Sequence, residues 1–195
     1  MRNYIYLIFI IFLGCENYLL PKQSGYLRLD YPSAEYTSFG VDEPELPFFF
    51  DTNNKLSNIS DININSEAID FIIKYNALDA QINFQYKSVN SKDRLDAYII
   101  DLKKTIETHS LMANSIRVRD YTLEEKNIYG RIFDLSGNVA SPYQFFLTDN
   151  INNIISGFVY FNIKPNYDSI LPAINYIEKD IIKLIESFNW NNNTK

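Results

Sequence analysis

A single histidine, His109, and a single cysteine, Cys15, bound the chemistry open to this 195-residue chain. Transition-metal sites draw their ligands from several histidines, cysteines and carboxylates, and His109 has no second histidine and no spare thiol to join it. As a general base it would need a substrate proton within reach. Near the end of an amphipathic segment it reads instead as a helix-end residue, favourably charged there by the helix dipole. No Gly-x-Ser-x-Gly elbow occurs, and no glycine-rich phosphate loop is built from the six glycines. The carboxylates are scattered, and those of Glu124 to Lys126 and Glu178 to Asp180 read as solvated faces. No catalytic, metal-binding or cofactor-binding residue is assigned, and no cofactor is implied.

The stretch "DLSGNVASPYQFFLTDN", Asp134 to Asn150, is less ordinary. A plain hairpin needs only the Gly137-Asn138 turn, yet small and polar residues continue through Val139, Ala140, Ser141 and Pro142 before the next strand. Gly137, Asn138, Ser141, Pro142, Gln144 and Asp149 are therefore candidate partner-binding residues. The alternative is a wide hairpin whose Asn, Ser and Gln side chains satisfy their own backbone.

Cys15 follows an apolar run from Ile5 to Leu13, far short of the roughly 20 residues that span a bilayer as a helix. Arg2 precedes the run, and the small Gly14 stands where an export signal is cut. Residues 1–14 thus read as a lipoprotein signal peptide, with Cys15 lipidated after cleavage and its new amino terminus acylated in turn. The alternative is an ordinary secretory signal with an incidental cysteine. Several acyl chains hold a protein on a membrane stably where one does not.

The elements that would carry these residues follow from periodicity. Residues 15–46 hold the lipidated cysteine and an extended, proline-containing tether, with a short pairing segment at Tyr26 to Asp30. "PFFFD" and Asp70 to Val89 are strands, with Ile82, Phe84 and Tyr86 on one face. "NNKLSNISDININSEA" between them is polar and turn-rich and is expected to loop outward. From Ser91, a plausible N-cap, the period lengthens: Leu95, Leu102, Ile106 and His109 mark an amphipathic helix. Strands follow at Ser115 to Thr122, Asn127 to Leu135, Tyr143 to Thr148 and Ile154 to Ile163, close enough to pair antiparallel. "YQFFLT" and "GFVYFNI" are apolar on both faces, so they sit centrally with cover on each side. A last helix begins at Asp168 or Ser169 with Pro172 in its first turn, and carries Ile170, Ile174, Ile177, Ile181, Leu184, Ile185 and Phe188 as an apolar stripe.

This order gives one α+β domain, 47–190, with a mostly antiparallel sheet sandwiched by helices, and a polar tail, 191–195. A fold of the Mog1/PsbP type fits it. The chain has 18 Lys and Arg against 24 Asp and Glu, a net charge of -6 that becomes -7 without Arg2. Such an acidic balance disfavours nucleic acid as a partner. With Cys15 committed to lipid, no disulfide framework can form.

"PKQSGYLRLDYP", "GNVASPYQFFLTD" and "YFNIKPNYDSILPAINYIEKDIIKLIESFNW" together resemble the gliding-motility lipoprotein GldD family of the Bacteroidetes. The resemblance covers nearly all of the mature chain. It implies a lipid-anchored cell-envelope protein with its domain outside the cytoplasm, required for gliding. It also implies an integral membrane partner of the GldE kind and a link to the secretion machinery that delivers motility adhesins. It carries over no catalytic residue, only Cys15 as the lipid site. Two readings follow: a non-catalytic assembly or interaction component, or a ligand-binding module or cryptic enzyme with a pocket near Gly137 to Gln144 and His109.

Overall fold

The structure is a computed structural model that describes residues 31–163 and 166–191. The signal peptide, Cys15, the Tyr26 to Asp30 segment and most of the polar tail lie outside the described residues. Among the described residues, ten strands and two helices form an α+β domain. The strands are β1 (Tyr36–Phe39), β2 (Phe48–Asn53), β3 (Asn58–Ile64), β4 (Ala68–Tyr75), β5 (Ala80–Ser88), β6 (Ser115–Leu123), β7 (Ile128–Ser136), β8 (Tyr143–Thr148), β9 (Asn153–Phe161) and β10 (Asn189–Trp190). The helices are α1 (Lys92–Ser110) and α2 (Tyr167–Ser187).

Seven strands make one antiparallel sheet in the order β3-β4-β5-β9-β8-β7-β6, and a smaller sheet has the order β1-β2-β10. Alternation decides which side chains face which layer. On β4, Ile69, Phe71, Ile73 and Tyr75 are buried, and Ile82, Phe84 and Tyr86 of β5 continue the same layer. Phe71 and Phe84 are direct cross-strand partners with ring centroids 4.5 Å apart, and Phe50 of β2 stacks on Phe84 at 6.0 Å. Over this layer lie β2 and the apolar stripe of α2, whose Ile177, Ile181, Leu184 and Ile185 join the same core. The other face is covered by α1, where Leu95, Leu102 and Ile106 pack on Phe133, Leu135, Phe146 and Ile154. All six residues of β8 are buried, as a strand with helices on both sides requires. Ser91 caps α1 as expected, its hydroxyl accepting from the Arg94 amide at 3.4 Å.

Three expectations need correction. The polar stretch before Asp70 is not simply an outward loop, because its centre, Asn58–Ile64, forms β3. On this edge strand only Ile59 packs on the core, Ile62 and Ile64 are exposed, and the register shift between Ser60 and Asn63 breaks the alternation, so the hydrophobic signal is weak. The tether of 15–46 gives way to folded chain before residue 47: β1 pairs with β2 from Tyr36↔Asn53 to Phe39↔Phe50, and Leu46 is buried in the core. Helix α2 starts earlier than Asp168, with Asn166 as N-cap, so Pro172 sits in the second turn.

Gly157 of β9 is the cross-strand partner of both Phe84 and Phe145, whose rings meet edge to face at 5.8 Å. A Cβ at Gly157 would lie 2.5 Å from Phe145 Cε1 and Cζ. Gly157→Ala is therefore expected to cost about 3 kcal/mol through overpacking, read as a lowered urea midpoint with an unchanged slope. An unchanged midpoint would mean that the Phe145 ring moves aside freely.

Candidate functional site

The long β7–β8 loop turns inward. Gly137 takes φ 110°, and a side chain there would crowd the Asn114 amide nitrogen at 3.0 Å. Gly137, Ser141, Pro142 and Gln144 are buried, Ser141 and Gln144 completely. Gln144 Nε2 donates to the Ser141 carbonyl at 2.9 Å, and the Leu135 amide donates to the Pro142 carbonyl at 2.8 Å. Asn138 is exposed, but its Oδ1 accepts from the Tyr167 amide at 3.0 Å and so ties the loop to the first residue of α2. Asp149 lies at the opposite end of β8. Its carboxylate accepts from the backbone amides of Ile151, Asn152 and Asn153 at 2.8 to 2.9 Å and closes the β8–β9 turn. The candidate partner-binding residues are thus not one surface: four are buried, Asn138 caps a helix, and Asp149 stands apart. The hairpin is wide, and of its polar side chains Gln144 bonds back to the Ser141 carbonyl while Asn138 bonds α2.

His109 lies in the last turn of α1 with its ring edge-on to Phe158 at 6.0 Å and Tyr160 at 6.4 Å. Its Nδ1 is buried without a hydrogen-bond partner among the described residues, as is Gln144 Oε1. No carboxylate orients the imidazole, so a base-and-orienter pair is not formed there. No group of three or more His, Cys, Asp or Glu among the described residues is arranged to hold a metal ion.

The most unusual polar group is Asp180. Its side chain belongs to α2, and the residue is only 5 % exposed, which corrects the expectation of a solvated face. The Tyr36 hydroxyl donates to Oδ1 at 2.8 Å and Asn53 Nδ2 to Oδ2 at 2.9 Å, and the deeply buried Tyr75 hydroxyl also hydrogen-bonds the carboxylate. Burial pushes the Asp180 carboxyl above the usual aspartate range, against the opposing pull of the hydrogen bonds from Asn53, Tyr36 and Tyr75. Tyr36 and Tyr75 are in turn held above the usual phenol range, first by burial and then by the neighbouring carboxylate. Tyr176, one turn before Asp180, accepts from Asn53 Nδ2 at 2.8 Å, donates to the Pro32 carbonyl at 3.2 Å and packs on Tyr31 with ring centroids 5.0 Å apart. The cluster therefore fastens the start of the described chain to α2. Sequence offered one signal for it: Asp180 stands three residues after Ile177 and four before Leu184, on the apolar stripe itself.

Glu178, on another side of α2, pairs with Arg119 of β6 at 2.7 Å, and Arg119 also donates to the Tyr143 hydroxyl at 2.7 Å. Burial holds the Tyr143 hydroxyl well above the usual phenol range. Three cavities accompany these features. The first, about 660 Å³, opens at the end of the sheet near Glu45, Glu67, Glu125, Asp149 and Trp190. The second, about 590 Å³, lies between α1 and β3 to β5, lined by Asp70, Asn83, Gln85, Tyr98 and Asp101. The third, about 370 Å³, borders Tyr31, Tyr36, Tyr176 and Asp180. His109 and residues 137–144 line none of the three. In the third cavity Tyr36, Tyr176 and Asp180 are occupied in joining segments of the fold, and in the first Asp149 closes the β8–β9 turn.

A family model described as gliding motility lipoprotein GldD matches residues 16–190. No curated protein and no solved structure matches the chain.

Proposed function

Since this chain belongs to the gliding motility lipoprotein GldD family, and so has a part in gliding motility from the cell envelope, we propose that it acts there as a lipid-anchored, non-catalytic assembly component. Cys15 carries the lipid, residues 16–30 lead to the folded domain, and the domain stands outside the cytoplasm beside an integral membrane partner of the GldE kind and the secretion machinery. The observation that carries this reading is the extent of the family match, which begins directly after Cys15 and runs to the end of the fold. The occupied state of the polar groups supports the non-catalytic part: Asp149 closes a turn, Asn138 bonds the start of α2, and Asp180 joins β1, β2 and β4 to α2.

The test is the mass of the amino-terminal peptide of the chain extracted from its own membranes. A peptide beginning at Cys15 with a diacylglyceryl group on Sγ is the expected result. A chain cut elsewhere, with Cys15 absent or unmodified, would overturn the anchor.

A further inference from the structure

The two edges of the seven-stranded sheet differ in a way that bears on partner binding. On β3 the register shifts between Ser60 and Asn63, Asp61 takes φ 56°, and Asp61 pairs with Lys74 at 2.6 Å. Bulges and charges of this kind blunt an edge against further pairing. β6 has no such break, pairing residue for residue with β7 from Ser115↔Ser136 to Leu123↔Ile128. Among the described residues its backbone hydrogen-bonds to no segment but β7, so its outer row of amides and carbonyls is open.

The two faces of that edge have distinct chemistry. Ile116 and Val118 lie opposite Leu135 and Phe133, in the layer under α1, yet they are 47 % and 49 % exposed because the helix does not reach them. Leu111 and Met112, between α1 and β6, are exposed as well. On the other face stand Arg117 and Arg119, paired with Asp134 and Glu178, and Arg119 Nε is buried without a partner. A guanidinium has five donors, so both can donate to further carboxylates.

A second copy fits this edge poorly. Antiparallel pairing of two β6 strands about a two-fold axis must set residues of the same face opposite each other. Centred on Val118 it opposes Arg117 to Arg119; centred on Arg117, Arg119 or Asp120 it opposes like charges directly, which destabilises a pair; registers centred on Ile116 or Tyr121 avoid this but pair only about half of the strand or less.

We propose that β6 is a docking edge for an extended strand of a partner protein, with aliphatic side chains toward Ile116 and Val118 and acidic ones toward Arg117 and Arg119. The assignment rests on the reading of the chain as an interaction component and names the kind of segment its partner offers.

The experiment is amide hydrogen exchange of the full chain with two nine-residue peptides, one alternating valine and glutamate, the other valine and lysine. The glutamate peptide should slow exchange of the outward β6 amides at least tenfold and the lysine peptide should not. The Ile116→Lys/Val118→Lys double variant, with unchanged melting temperature, should lose the effect. No protection by the glutamate peptide at millimolar concentration, or equal protection by both peptides, would overturn the proposal. So would protection of β6 by raised concentrations of the chain itself, or by anionic vesicles without peptide. Each of these results leaves lipid attachment at Cys15 unaffected, so failure here is distinct from failure of the anchor.

Discussion

Replacing Asp180 with leucine is expected to cost the domain about 4 kcal/mol. The substitution leaves the Tyr36 and Tyr75 hydroxyls and Asn53 Nδ2 without their shared acceptor. A buried donor stranded in this way costs about 1–3 kcal/mol, and packing of the new side chain offsets only part of the sum. Asp180→Asn keeps one carbonyl oxygen but turns an amide toward existing donors, so about 2 kcal/mol is expected, read as a lowered urea midpoint. A midpoint unchanged by either substitution would mean that the cluster relaxes into water. The sign of the pH dependence follows from burial. A carboxyl whose folded pKa is raised contributes stability that is fully present below its unfolded value, 3.8, and is lost as pH rises through the folded value. Wild type should therefore gain on Asp180→Asn as pH falls from 7 to below 4, the reverse of an ordinary surface ion pair. A gap that narrows on acidification would contradict the dominance of desolvation.

Loss of the thiol should have the largest functional effect. Cys15→Ala is expected to lower the membrane-bound fraction at least tenfold and to abolish cell gliding, while the domain remains folded. Each buried methylene contributes about 0.8 kcal/mol, so removing every acyl chain removes the attachment outright. No described helix is long and apolar enough to cross a membrane in its place. Fractionation of cells and microscopy of single-cell movement, both in a strain whose own copy is deleted, give the readout. Wild-type gliding by a fully released variant would separate the domain's work from the anchor.

The fold was legible wherever burial is one-sided or complete. The stripe of α2 holds six apolar positions at helical spacing, continued by Phe188 just past its end, all of which are buried, and β8 is buried throughout because both helices cover it. Antiparallel pairing followed from short connections and αL turn residues such as Asn150. β3 was hidden because only Ile59 packs on the core and the register shift between Ser60 and Asn63 breaks the alternation. β1 was hidden because four residues with two exposed positions carry too little period to separate them from an extended lead-in.

The site was less legible, for a physical reason. Tyr36 and Asp180 are 144 residues apart, and Asn53 and Asp180 are 127 apart, so their meeting depends on the sheet being assembled. Gly137, Ser141, Pro142 and Gln144 looked available because small polar residues mark both exposed binding loops and buried, self-bonded ones. Only coordinates separate the two, and here Gln144 bonds to Ser141 inside the domain. The open edge of β6 carried a faint signal in "SIRVRDYTL", where aliphatic and charged residues alternate but neither set is buried.

The central claim is an anchored component that works by holding a membrane partner. Affinity capture of the tagged chain after mild membrane extraction from its own cells, beside Cys15→Ala and read by mass spectrometry, tests it most directly. Recovery of one integral membrane protein at constant ratio with the lipidated chain, and its absence with Cys15→Ala, is the expected result. Recovery of the lipidated chain alone, with a small molecule in one of its cavities, would contradict the account.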